Sequence, residues 1–166
     1  MPPAKNGDKI RHRASRRASF SVEANMLEVV VDHLGDVQFE VTARGHRIYC
    51  DQPVENGGSD EGMTPPEFLL ASLGTCAGYY AAQYLKANRL AGEGLKVRVR
   101  AEKASKPMRL GEFQIDVQYA GELTAKHHAA LLDAVRKCLI HNTLLHPPKM
   151  EIQVSGSPVE SPAMAA

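Results

Sequence analysis

Cys76 and Cys138 are the side chains best placed to do chemistry in this 166-residue chain. Each stands in a segment that reads as helix, framed by residues suited to holding a thiol rather than burying one. Cys76 lies in Gly74-Thr75-Cys76-Ala77-Gly78, where small side chains leave access to the sulfur that a core helix normally denies. Each glycine costs a helix about 1 kcal/mol relative to alanine. A glycine on both sides therefore points to close backbone approach or to room for a ligand. Cys138 follows Arg136-Lys137 and precedes His141 by three residues, and it falls near the C-terminal end of its helical pattern. Nearby positive charge lowers a thiol pKa, whereas a helix C-terminus works the other way. If the helix continues, Cys138 and His141 share a face. Two such thiols make a two-cysteine redox site the leading reading, against the blander one in which each is a small core residue.

The remaining candidates are weaker. Cys50 ends a strand pattern with only Arg47 as a basic neighbour and reads as a packed or edge-strand residue. His127-His128 and Cys138-x-x-His141 lack the second matching pair that a zinc site needs, so no metal and no cofactor are expected.

The elements that must position these residues are marked by their ends. Thr64 is a good N-cap, Pro65 suits the first helical position, and Glu67 closes a capping box. A helix is therefore expected from Thr64 to about Asn88, almost without charge before Lys86 and apolar on nearly every side, as a buried central helix is. A second helix is expected from Leu123-Thr124 to about Leu139, with Pro147-Pro148 as the stop beyond it. Leu27–Val31, Val37–Val41 and His46–Cys50 read as strands separated by Gly35-Asp36 and Arg44-Gly45 turns, an antiparallel meander. Leu95–Ala101 and Glu112–Tyr119 alternate as half-wet strands, and Met150–Val154 is expected to return as a last one. A polar loop, Gln52 to Gly62, joins the meander to the first helix. The order is α+β rather than doubly wound.

Composition sets the bounds. Hydrophobic residues make up 43% and charged residues 23%, as in one ordinary domain with enough chain for a core. Three cysteines, an odd number, and no apolar signal segment argue against a secreted disulfide framework and for a reducing cytoplasm. The net charge of +1 divides unevenly: residues 1–25 carry +4 and the rest −3. That rest is no nucleic-acid surface, and the first helix, with its Ser, Thr, Gln and Gly discounted, is too short for a membrane span. Residues 1–25 read as a mobile basic extension, with an organellar targeting peptide or a phosphorylation site at Arg16-Arg17-Ala18-Ser19 as alternatives. Residues 26–154 form the domain, and 155–166 a flexible tail.

Arg44-Gly45-His46-Arg47, Asp51-Gln52-Pro53, the run Thr64 to Cys76 and Cys138-Leu139-Ile140-His141-Asn142-Thr143-Leu144 together resemble the OsmC-like proteins, which include organic hydroperoxide resistance proteins. The resemblance covers roughly residues 26–154. It implies antiparallel sheets around two long central helices in an intertwined homodimer, with active sites at the interface. It implies thiol peroxidase activity toward organic hydroperoxides, with Cys76 as the attacking thiolate, Cys138 as the resolving thiol and a dithiol, possibly of lipoyl type, as reductant. It also implies an activating arginine, for which Arg44 and Arg47 compete, and an activating glutamate. That glutamate lies ten residues before the first cysteine in the peroxidases, where this chain has Pro66. Glu67 stands nine before, on nearly the opposite helical face. Leu139 replaces the peroxidases' proline, as in a less characterised branch. The rival of another class is a non-enzymatic module that binds a lipophilic or thiol-bearing ligand at the dimer interface; a purely structural protein is the third reading.

Overall fold

Turns and bulges decide where the strands run. A computed structural model describes residues 26–156; residues 1–25, expected as a mobile extension, and 157–166 of the expected tail lie outside the described residues. The described chain divides into two compact units, one ending at Met63 and one beginning at Thr64.

The first unit holds a three-stranded antiparallel meander of β1 (Val30–Gly35), β2 (Gln38–Ala43) and β3 (His46–Cys50). Arg44 and Gly45 have φ of 49° and 81°, the two left-handed residues that a tight two-residue hairpin turn requires. β1 begins later than the sequence pattern indicates. Val30 pairs with Thr42, so Leu27 and Glu28 project beyond the end of β2 and have no strand opposite them. Their apolar and β-branched run suits a strand, but a strand needs a ladder partner.

In the second unit, α1 (Pro65–Ala87) lies against a hairpin of β4 (Lys96–Ser105) and β5 (Met108–Gln118), followed by α2 (Ala125–Val135) and α3 (Leu139–Leu145). Both hairpin strands are longer than the alternating pattern shows. The register slips between Arg100 and Glu102, and Glu112 adopts a left-handed φ of 49°, the mark of a bulge. A one-residue slip reverses which face each side chain takes. Simple alternation therefore stops there while the ladder continues to Ser105 and Met108.

α1 is not enclosed on every side. Leu73, Ala77, Ala81 and Leu85 recur every four residues along its buried line, and Ala77 and Ala81 join Leu131 and Val135 of α2 in the core. Val97, Ile115 and Val117 of the hairpin pack on that core. Leu69 and Tyr79 on α1 are exposed instead. Leu69 continues the buried line one turn toward the helix start and Tyr79 stands on the opposite face, so this unit leaves apolar surface of α1 uncovered.

Two further expectations are corrected. The second helix does not run to Leu139: it ends at Val135, and Cys138 opens α3 rather than closing α2. Met150–Val154 is not a strand, and Met150, Ile152 and Val154 are exposed. Its alternation favours an extended chain, but among the described residues nothing pairs with it.

Candidate functional site

The start of α1 is built as its sequence indicates. The Glu67 carboxylate accepts from the Thr64 backbone N–H and from its hydroxyl, both at 2.8 Å. Those two bonds, the backbone one foremost, hold the Glu67 carboxyl below its ordinary range, with the Lys103 charge adding to the effect. Glu67 is thus occupied at the cap. Cys76 stands nine residues further on, about 13 Å along the helix axis.

Cys76 occupies the middle of α1 and is half-buried. One of the flanking glycines serves close packing. A Cβ added at Gly74 would meet a Val99 methyl at 3.1 Å, and one at Gly78 a Val97 methyl at 3.5 Å. At Gly74 the missing side chain lets α1 come down onto β4, the first of the two expected reasons for glycine, whereas at Gly78 a methyl would make only ordinary contact.

Cys138 is set by a break in the helical path. Thr124 caps α2 by accepting from the His127 N–H at 3.2 Å. After Val135, the amides of Arg136, Lys137 and Cys138 still turn back onto Leu132, Ala134 and Val135. The chain then extends at Cys138, with φ −53° and ψ 127°, and α3 begins. Cys138 is the N-cap of α3: its sulfur accepts from the His141 N–H at 3.4 Å, and its carbonyl accepts from the Asn142 N–H at 3.0 Å. His141 therefore meets Cys138 through its backbone, while its imidazole Nδ1 lies 3.4 Å from the Arg136 carbonyl oxygen. A helix interior has no amide to spare for a sulfur, whereas a helix start does.

The structure brings the Cys76 and Cys138 side chains, 62 positions apart in sequence, close enough for one to act on the other's proton. Cys138 is fully buried. Burial above all pushes its thiol pKa up, and the hydrogen bond to Cys76 and the Cys76 charge act in the same direction. The His141 and Ile140 amides pull the other way without prevailing. Only Cys76 of the pair keeps surface. Neither cysteine is in a disulfide.

The arginines belong to the first unit. Arg47 on β3 is paired with Glu40 on β2 at 3.2 Å. Arg44 sits in the left-handed turn between β2 and β3, as the Arg44-Gly45 signal indicates, so the two arginines are set apart by backbone conformation. Cys50 is buried, as a packed residue should be, and burial together with the adjacent Asp51 charge pushes its thiol pKa up.

Asp51 is the residue whose role the sequence reading missed. It is 1% exposed, and its two oxygens accept from the amides of Gln52, Ser59 and Glu61 at 2.7, 3.0 and 3.1 Å. These amides, that of Glu61 foremost, hold its carboxyl below the usual range against the opposing effect of burial. It closes the polar loop on itself. The signal was present, since an aspartate at the mouth of a glycine-rich loop is a standard acceptor for loop amides. A second missed contact joins the helices of the other unit: the Tyr84 hydroxyl lies 2.8 Å from His127 Nδ1. No group of three or more metal-ligating side chains gathers among the described residues.

Residues 58–153 match the family model described as OsmC-like protein. Among solved structures, a Psychrobacter arcticus protein assigned to the osmotic stress and detoxification response is 22% identical, with a TM-score of 0.65 over 71% of this chain and 88% of that one. An OsmC-like protein from Mycoplasma pneumoniae is 18% identical, with a TM-score of 0.61 over 74% and 89%. An organic hydroperoxide resistance protein OsmC from Legionella pneumophila is 16% identical, with a TM-score of 0.55 over 72% and 88%. Among curated proteins, none matches the chain.

Proposed function

The chain belongs to the OsmC-like family, and from that premise we propose that it reduces organic hydroperoxides at the Cys76–Cys138 pair. The observation that carries this reading is the meeting of two free thiols, one reachable and one enclosed, from distant parts of the sequence. In this mechanism the Cys76 thiolate attacks the outer oxygen of the hydroperoxide, the O–O bond breaks, and the alcohol leaves after taking up a proton. Cys76 is left as a sulfenic acid. The Cys138 sulfur then attacks the Cys76 sulfur, forming the disulfide, and the hydroxyl departs as water with the Cys138 proton. The thiolate is the attacking form, so the Cys138 proton must pass to the departing hydroxide as the two sulfurs join, and the raised pKa of Cys138 works against that step. A small dithiol, of lipoyl type in this reading, reduces the disulfide by exchange and leaves as its own disulfide.

An activating arginine, Arg44 or Arg47, is what the family resemblance implies. Glu67 has the weaker claim to an activating role, being bonded to Thr64 at the helix cap. The working unit is a homodimer in the cytoplasm, with the exposed Leu69 and Tyr79 of α1 as the surface that a second copy covers. Among the described residues no helix is long and apolar enough to cross a membrane.

The test is turnover of cumene hydroperoxide and of a fatty-acid hydroperoxide with dihydrolipoamide as reductant. Consumption of peroxide with a transient Cys76–Cys138 disulfide is expected. A protein that consumes no peroxide and forms no such disulfide ends the reading.

A further inference from the structure

A groove of about 460 Å³ opens between β5, α2 and the start of α3, and neither cysteine lines it. Its volume falls in the range of small-molecule sites. Its floor is apolar and closed, formed by Val117 together with Leu131 and Val135, which are 5% and 9% exposed. Its mouth is open. Leu132 is 45% exposed there, and the Arg136 side chain is 63% exposed. The other ionisable side chains on the lining are His128, His141 and Tyr119, and no carboxylate lines the groove. Asp133 holds one Arg136 nitrogen at 3.3 Å, which leaves the other guanidinium donors free for a second acceptor.

We propose that this groove binds a free medium-chain carboxylate, its hydrocarbon chain on the Leu131–Val135–Val117 floor and its carboxylate on Arg136 at the mouth. The polarity of the groove gives the orientation. An apolar chain gains by displacing water from the closed end. A carboxylate left at that end would lose its solvation, whereas at the mouth it keeps water and gains a charge-assisted hydrogen bond. The bound molecule takes part in no reaction here. The site is independent of the thiol chemistry, although Cys138 lies in the chain between Arg136 and His141.

The measurement is calorimetric titration of the reduced full chain with decanoate and, separately, with 1-decanol. Saturable binding of one decanoate per chain is expected, at least tenfold tighter than decanol. Arg136→Gln should weaken decanoate at least tenfold while leaving decanol unchanged. Leu132→Glu places a negative charge at an exposed position that folding does not depend on, and should abolish decanoate binding with the circular dichroism spectrum unaltered. Equal affinity for acid and alcohol, failure of decanoate to bind, or indifference to both substitutions overturns the proposal. So does light scattering that shows Leu132→Glu splitting a dimer in which wild-type protein ignores decanoate, since a second copy then fills the groove. Cys76→Ser separates this proposal from the peroxidase reading: peroxide consumption should vanish and decanoate binding remain.

Discussion

Cys50 and Cys138 are both buried free thiols with raised pKa values, yet their neighbours differ in kind. Cys50 adjoins Asp51, a carboxylate committed to three loop amides, whose charge further disfavours a thiolate. Cys138 adjoins a second thiol that retains surface, and its own sulfur receives a backbone amide. Enclosure is common to both sulfurs. What separates them is that only Cys138 has a second thiol beside it, and the proposed chemistry rests on that difference.

The sharpest way to break this contrast is substitution of each cysteine in turn. Cys76→Ser should abolish peroxide consumption. Cys138→Ser should leave one stoichiometric turnover and a trapped Cys76 sulfenic or sulfinic acid, seen by mass spectrometry, while Cys50→Ser should change turnover little. If the first oxidation is found on Cys138, the roles reverse; if Cys50→Ser matches Cys76→Ser, the contrast fails.

A second test titrates the neighbour of Cys50. Its folded pKa being depressed, Asp51 contributes stability above the ordinary carboxylate pKa and loses it as pH falls through the lowered folded value. The amide resonances of Ser59 and Glu61 should therefore move together with a midpoint below about 3.9. A midpoint at or above that value would mean that the clasp does not hold the charged form.

Smaller effects probe the scaffold of the Cys76–Cys138 side. Thr124→Ala removes the cap of α2 and should cost about 1 kcal/mol in denaturant unfolding. Peroxide turnover should be kept, because Cys138 takes its amide from α3 rather than from α2. Smallest of all, Gly78→Ala should stabilise by up to about 1 kcal/mol through helix propensity, since its methyl would meet Val97 at an ordinary distance. Gly74→Ala should fall short of that gain, because Val99 must yield to the added carbon. Equal gains at both positions would show that the Val99 contact carries no cost.

Much of this architecture was legible because it is written in local signals. Thr64, Pro65 and Glu67 marked the start of α1, Arg44-Gly45 marked the β2–β3 turn, and the two cysteine segments supported the family resemblance. What escaped depended on partners. The break at Cys138 has no glycine or proline to announce it, since its signal is a sulfur accepting an amide. The Glu112 bulge hid the turn-side end of each hairpin strand by exchanging the two faces. Asp51 looks like any loop aspartate until its three amides converge. Met150–Val154 has the alternation of a strand but, among the described residues, no ladder to join.

The hydrogen that stands where a side chain would be at Gly74 ties α1 to its neighbour in a way that inheritance must respect. Positions 74 and 99 draw on one small volume. A lineage that gains a methyl at position 74 keeps Cys76 at the same height above the hairpin by giving one up on the strand. Drift at this contact is therefore paired, with trimming of Val99 as the compensating change for growth at position 74.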